Sequence, residues 1–151
     1  MKTTAEKSFQ KETAFERIAN RTFGALVRLG LGLGHNYLLE VPGRKSGKVF
    51  STPVNLLEYN GRRYLVASRG ETQWARNVRA AGRVTLRKGA RVREYKAREV
   101  PVSERAPILK EFLDRFAASV QRFHAVPKGS PAEAHVADAP RHPVFELIEA
   151  G

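Results

Sequence analysis

The sequence predicts an α+β fold: mainly an antiparallel β-barrel of about six strands, with N-terminal, short middle and C-terminal helices. Three observations lead there. Short β-like runs follow one another across tight turns, which makes neighbouring strands antiparallel. About six such runs crowd into 151 residues with no internal repeat, which suits a small barrel better than a βαβ sheet. Longer runs with helical periodicity lie only at the two ends, and a short one lies in the middle.

Taken in order, Phe15, Ile18, Ala19, Phe23, Leu26 and Val27 recur at three- and four-residue spacing. They predict an amphipathic helix from about Phe9 to Leu29, ended by Gly30, Gly32 and Gly34. Such a helix packs on the barrel or, being basic, lies on a membrane surface. Asn36 to Val41 reads as a strand, Pro42 to Lys48 as a turn, and Val49 to Tyr59 as a second strand. Asn60-Gly61 is a strong hairpin signal, with Arg63 to Ser68 returning. Arg69 to Thr72 breaks the pattern, and Gln73 to Ala81 reads as a short helix closed by Gly82. Arg83 to Lys88 and Arg91 to Val102 form another hairpin across Gly89-Ala90. Ser103 is the expected cap of a long helix whose buried stripe is Leu109, Phe112, Leu113, Phe116, Val120 and Phe123. Ala125 to His142 has no period and reads as a loop or lid, and Pro143 to Glu149 is a last strand. One domain over 1–151 follows, with 1–30 as its helical start and 125–142 as the lid.

The 27 Lys and Arg stand against 15 Asp and Glu, a formal charge of +12, which favours an anionic partner. With no cysteine, disulfides, thiolate metal sites and cysteine nucleophiles are excluded. Met1 to Lys11 lacks the apolar core of a signal peptide, and Phe23 to Leu33 is too short to span a bilayer. These features lead us to expect a soluble cytoplasmic protein.

Four constellations could carry chemistry. Gly43-Arg44-Lys45-Ser46-Gly47-Lys48 offers backbone N–H groups, cations and a hydroxyl, the donor set that phosphates want, although it is not a Walker loop. Ser68-Arg69-Gly70 precedes Trp74 and Asn77, which share one side of the short helix, near a helix N-terminus that attracts anions. Thr52-Pro53-Val54-Asn55 holds a proline that marks an edge or bulge. Arg83, Arg87, Lys88, Arg91, Arg93, Lys96 and Arg98 form a basic hairpin opposed within it by Glu94 alone. That hairpin is either a nucleic-acid surface or a solvated outer face. With Tyr95 as its one aromatic, it lacks a stacking platform, so nucleic acid is not the expected partner. His35, His124, His135 and His142 show no metal-ligand spacing, so no metal is expected. Catalytic residues are not identifiable: there is no nucleophile elbow and no paired carboxylates in a turn. Hard chemistry would then belong to a bound cofactor.

In this order, Gly43 to Gly47, Thr52-Pro53-Val54, Asn60-Gly61, Val66-Ala67-Ser68-Arg69-Gly70, Trp74 with Asn77, Ala80 to Val84 and His142 to Leu147 resemble the deazaflavin-dependent nitroreductase family. The resemblance implies a split β-barrel that holds coenzyme F420, with FMN as the alternative cofactor, and hydride transfer to a small electrophilic substrate such as a quinone, nitro compound or enone. It places the coenzyme's phosphate and charged tail near Arg44, Lys45 and Ser46. The ring would lie along Phe50, Ser51, Thr52, Pro53, Val54 and Asn55. Val66, Ala67, Ser68 and Arg69 would add contacts, and Gln73, Trp74, Ala75, Arg76 and Asn77 would close the other side. The chain departs from the family where Phe50 replaces a frequent Arg, where Asn55 replaces a tyrosine, and where Ala125 to His142 has no tyrosines. The resemblance therefore does not single out nitro compounds among these acceptors. The protein is expected to act as a monomer or homodimer, with peripheral membrane contact in the case where the N-terminal helix lies on a bilayer instead of the barrel.

Overall fold

The computed structural model describes residues 36–150, so the amphipathic helix expected over Phe9 to Leu29 lies outside the described residues. The first strand, β1 (Asn36–Pro42), pairs antiparallel with β2 (Val49–Asn55). Then come β3 (Leu57–Tyr59) and β4 (Arg62–Val66), joined by Asn60 and Gly61 at φ +52° and +72°. Two successive left-handed residues match the strand twist in a tight hairpin. The short helix α1 (Gln73–Ala81) is capped at its start by the Thr72 hydroxyl, which accepts from the Ala75 N–H at 3.2 Å. Gly82 ends it in the left-handed region at φ +67°. Next are β5 (Arg83–Lys88), β6 (Arg91–Glu99), the long helix α2 (Ala106–Val120) and β7 (Val144–Glu149).

The seven strands form one antiparallel sheet in the order β2-β1-β5-β6-β7-β4-β3. This corrects the expected six. The run predicted as a single strand from Val49 to Tyr59 breaks at Leu56, and its halves lie at opposite edges of the sheet. One residue cannot cross a flat seven-stranded sheet whose neighbours are about 4.8 Å apart. The sheet must therefore curl until its edges nearly meet, and Leu56, 6% exposed, enters the core at that junction. The chain is thus an α+β protein with a curled antiparallel half-barrel.

Alternation along the strands sorts side chains between two cores. Leu39, Val41, Leu65, Phe145 and Leu147 point into the barrel with Leu56, where Ala75 and Val78 of α1 join them. Leu57, Tyr64, Val66 and Val144 point outward onto α2, meeting Leu109, Phe112, Leu113, Phe116 and Val120. Phe123, expected in this stripe, is only half-buried and sits in a short 3-10 turn, Gln121–Phe123, after the helix.

Ser103 is not the cap of α2. It lies in a separate 3-10 turn, Val102–Glu104, and the helix begins after Arg105 with no side-chain cap. Arg105 is buried, and its guanidinium donates to the carbonyls of Val100 (2.8 Å), Ala139 (3.2 Å) and His142 (3.4 Å). That long-range anchor fixes where the helix begins in place of a local serine. Residues 125–142 contain two more 3-10 turns, Ala132–His135 and Ala139–Arg141. The stretch before these turns is pinned to α2 and the 3-10 turn after it: the Gly129 N–H donates to Asp114, Lys110 donates to the Ser130 carbonyl, and Gln121 bonds the backbone of Val126 and Lys128. No helix among the described residues is long and apolar enough to cross a membrane.

Candidate functional site

The turn between β1 and β2 is held by two backbone bonds, Gly43 N–H to Lys48 O at 2.7 Å and Gly47 N–H to Gly43 O at 2.9 Å. The Ser46 hydroxyl accepts the Lys48 N–H at 3.2 Å. Gly47 is at φ +75°. A Cβ on Gly43 would come within 2.5 Å of the Phe50 ring. Arg44, Lys45, Ser46, Lys48, Phe50 and Ser51 are exposed, so this short segment presents three cations and two hydroxyls to solvent.

The turn does not stand free. Asn77 on α1, 4% exposed, accepts the Arg44 backbone N–H at 3.1 Å and its guanidinium at 2.8 Å with the same Oδ1. Two segments 33 residues apart are thereby locked together, and Arg44 is oriented by a buried partner. Its neighbour Trp74 is partly buried, its ring 6.2 Å from that of Phe145 in a tilted arrangement. Thr52 to Asn55 are half-buried on β2, an edge strand, where a proline at 53 removes no ladder bond that the sheet needs. Asn55 bonds Asn36 across the β1–β2 pair and donates to the Ser119 hydroxyl near the end of α2 at 3.5 Å.

Past β4, Val66, Ala67 and Ser68 are buried, and the Ala67 N–H donates to the Pro143 carbonyl. The side chains of Val66, Ala67 and Ala75 belong to the cores, leaving only backbone to face a ligand. Arg69 lies over the Phe123 ring at 4.6 Å, with Arg122 also 4.6 Å from that ring. Ser68 Oγ is 2.9 Å from His124 Nε2. Gln73 is exposed and Arg76 half-buried on α1.

These contacts form a closed circuit. It runs from Arg44 to Asn77, back along α1 to Arg69 and Ser68, across to Phe123 and His124, up to Ser119, over to Asn55, and along β2 to the turn. Three of the four segments that sequence singled out lie on it, and the basic hairpin does not. The C-terminal segment 119–124 completes it. Sequence reasoning left that segment out of the site because nothing local marks Ser119, Phe123 or His124.

The basic hairpin is more neutral than its own sequence suggests. Arg87 pairs with Glu40, Arg98 with Glu146 and Arg93 with Glu149, from the strands on either side. Opposition by Glu94 alone was an underestimate, because cross-strand partners are invisible until the register is known.

The histidines are a second surprise. Spacing along the chain shows no ligand set, yet the ligand atoms of His124, Asp138 and His142 lie within 4.8 Å of one another, all buried. The two rings are stacked, centroids 4.2 Å apart and planes inclined by 21°. A metal must lie in the plane of each imidazole it binds, and planes so nearly parallel meet only well outside the pair. As they stand, the rings make a stack and not a chelate. Burial first, then the neighbouring His142 ring, pushes the His124 pKa down to about 4, and burial lowers that of His135 as well.

The model of one protein family, F420H(2)-dependent quinone reductase, matches residues 11–126. No curated protein matches the chain. Among solved structures, it is similar to an F420-H2 dependent reductase (FDR-A) at 26% identity and a TM-score of 0.50, over 76% of this chain and 94% of that one. It is also similar to a protein solved as a domain-swapped dimer, at 24% identity and a TM-score of 0.54 over 88% and 92% of the two chains. The haem storage protein HutZ from Vibrio cholerae matches at 10% identity and a TM-score of 0.55, over 87% of each chain. The last two speak for the fold alone.

Proposed function

The chain belongs to the F420H(2)-dependent quinone reductase family, and from that premise we propose that it holds F420 along the circuit of contacts just described and reduces a quinone-class acceptor. It is an F420-dependent reductase, and the acceptor and the residue assignments are our own reading. The donor set suits the coenzyme: Arg44, Lys45 and Lys48 are exposed cations beside the Ser46 hydroxyl, and F420 carries a phosphodiester and a glutamate tail. Arg44 and Lys45 would hold the anionic part, with Ser46 adding a hydroxyl donor. Phe50 to Asn55 on β2, Ser68 and Arg69 after β4, and Gln73, Trp74 and Arg76 on α1 would flank the ring. Bound and reduced, the deazaflavin supplies a hydride. The protein's part is then closeness, orientation and exclusion of water rather than an acid or base, which agrees with the lack of a nucleophile or carboxylate pair in the sequence.

The observation that carries this reading is the pair of bonds from Arg44 to the buried Asn77. A basic turn meant only for solvent has no need of a buried side chain to aim its arginine. Quinones are preferred to nitro compounds and enones because the family is named for them. The test is a fluorescence titration with F420 and with FMN, followed by oxidation of F420H2 against a naphthoquinone, a nitroaromatic and an enone. We expect F420 to bind more tightly than FMN and the quinone to be the best acceptor. Tighter FMN binding, or no acceptor-dependent oxidation, would overturn the proposal.

A further inference from the structure

Behind Ser68 lies a buried file of side chains to which the proposed function gives no chemical role. Ser68, His124, His142 and Asp138 are each between 2% and 8% exposed. Ser68 Oγ is 2.9 Å from His124 Nε2, the His124 ring lies on that of His142, and His142 Nε2 is 2.8 Å from Asp138 Oδ2. Among the described residues, the buried Nδ1 atoms of both histidines have no hydrogen-bond partner. Among the described residues, the Ser68 hydroxyl makes no other hydrogen bond.

The hydrogen positions follow from this geometry. His142 turns Nε2 to a carboxylate oxygen, which can only accept, so that nitrogen carries a hydrogen. His124 is neutral near pH 7, so one of its nitrogens carries a hydrogen and the other is bare. A buried N–H with no acceptor is rarer in proteins than a buried lone pair with no donor. Nδ1, the unpartnered nitrogen, is therefore the bare one, and Nε2–H donates to Ser68 Oγ. The Ser68 hydroxyl hydrogen is then left over for something else.

We infer that His124, held by the stacked His142–Asp138 pair, is a positioning residue that turns the Ser68 hydroxyl into a hydrogen-bond donor for a carbonyl oxygen of the bound ligand. The inference rests on the proposed site at residues 66–69. Both the deazaflavin ring and a quinone carry such a carbonyl. Ser68 would touch the ligand, and His124 would act only through Ser68.

Three measurements test it. Long-range nitrogen–proton NMR of the histidines, on the protein without coenzyme, is expected to show the His124 hydrogen on Nε2. A hydrogen on Nδ1 would overturn the inference whatever the ligand. His124→Leu keeps an apolar side chain in the slot but removes the donor, whereas His124→Gln can carry an N–H to nearly the same point. We expect His124→Leu to weaken function roughly five- to tenfold, the size of one neutral hydrogen bond, and His124→Gln to retain most of it. A rise in quinone KM assigns the carbonyl to the substrate, and a loss in F420 affinity assigns it to the coenzyme. Combined with Ser68→Ala, His124→Leu should add nothing further. If His124→Leu folds and matches wild type in both parameters, the role is structural only and the inference falls. If wild type binds no F420, the functional reading fails separately, and the NMR result alone decides the hydrogen-bond direction.

Discussion

Cutting the link between Arg44 and Asn77 separates a coenzyme clamp from a solvated loop. Asn77→Ala removes an acceptor that takes two bonds from Arg44, at 3.1 and 2.8 Å, from a residue 4% exposed. Because Arg44 itself is exposed, water replaces much of what it loses. The loss in stability should therefore sit near the low end for such bonds, roughly 1–2 kcal/mol. Arg44→Ala removes the proposed contact to the coenzyme's anion itself. A charge-assisted bond contributes about 1.5–3 kcal/mol, so affinity should fall roughly 10- to 100-fold. Asn77→Ala leaves the cation in place but unaimed, and a loss of about threefold to tenfold is expected, less than one full charged bond. If Asn77 acts through Arg44, the double variant should bind no worse than Arg44→Ala alone. The assay is F420 fluorescence titration paired with melting temperature, and Arg91→Ala, exposed on β6, is the control. Equal losses from Arg91→Ala and Arg44→Ala would put the coenzyme on the wrong face. Additive losses from Arg44→Ala and Asn77→Ala would refute the claim that one orients the other.

Gly47 sits at φ +75° with open space where a Cβ would go, so Gly47→Ala carries only the left-handed backbone cost of about 1–2 kcal/mol. Gly82→Ala, at φ +67° and equally open, carries the same cost at the end of α1, so both variants should lower the melting temperature by roughly 2–8 °C, and only Gly47→Ala should also weaken F420 binding. Acid should weaken the fold through His124: its folded pKa, about 4, lies below its ordinary 6.5. The stabilisation from keeping it neutral is complete above pH 6.5 and is lost as pH falls toward 4. Melting curves of His124→Leu should therefore be flatter than wild type across that window, with His135 retaining a share of the slope. An equal slope in both would refute the assignment. Finally, F420 affinity should rise with glutamate-tail length and fall with added salt. A coenzyme without the tail should lose most of the salt slope, and an unchanged slope would point the positive field at another partner.

What the sequence made legible was local. Asn60-Gly61 and Gly82 announce left-handed backbone, and the strands and short helix they bound follow from them. The stripe from Leu109 to Val120 declares a helix by spacing alone. Leu56 looked like one more apolar residue in a strand, because whether a chain continues or changes edges depends on partners far away. Ser103 lost the helix start to Arg105 for the same reason: its three carbonyl acceptors come from residues 100, 139 and 142. On the site, the turn and the Trp74–Asn77 helix were visible as motifs. That Asn77 would grip Arg44, and that His124 would reach Ser68 across 56 residues, is written in no local pattern.

The order of strands also dictates an order of events. Pairing within β2-β1-β5-β6 and within β3-β4 uses residues 36–99 alone, through three hairpins and the β1–β5 pairing, whose partners run from Glu40 with Thr85 to Leu38 with Arg87. Between them lies β7, residues 144–149, hydrogen-bonded to β6 on one side and to β4 on the other. Among the described residues no other strand hydrogen-bonds both pieces, which are also linked along the chain at Leu56. Bringing β7 home means pairing Val144 with Val66 and Leu147 with Arg63, the most distant partners in the sheet, a slow step because its entropy must be lost before any contact rewards it. On this account β7 is a keystone laid last. The segment carrying His124 and Asp138 leads directly into β7, so the wall it gives the site is finished only when the keystone drops in.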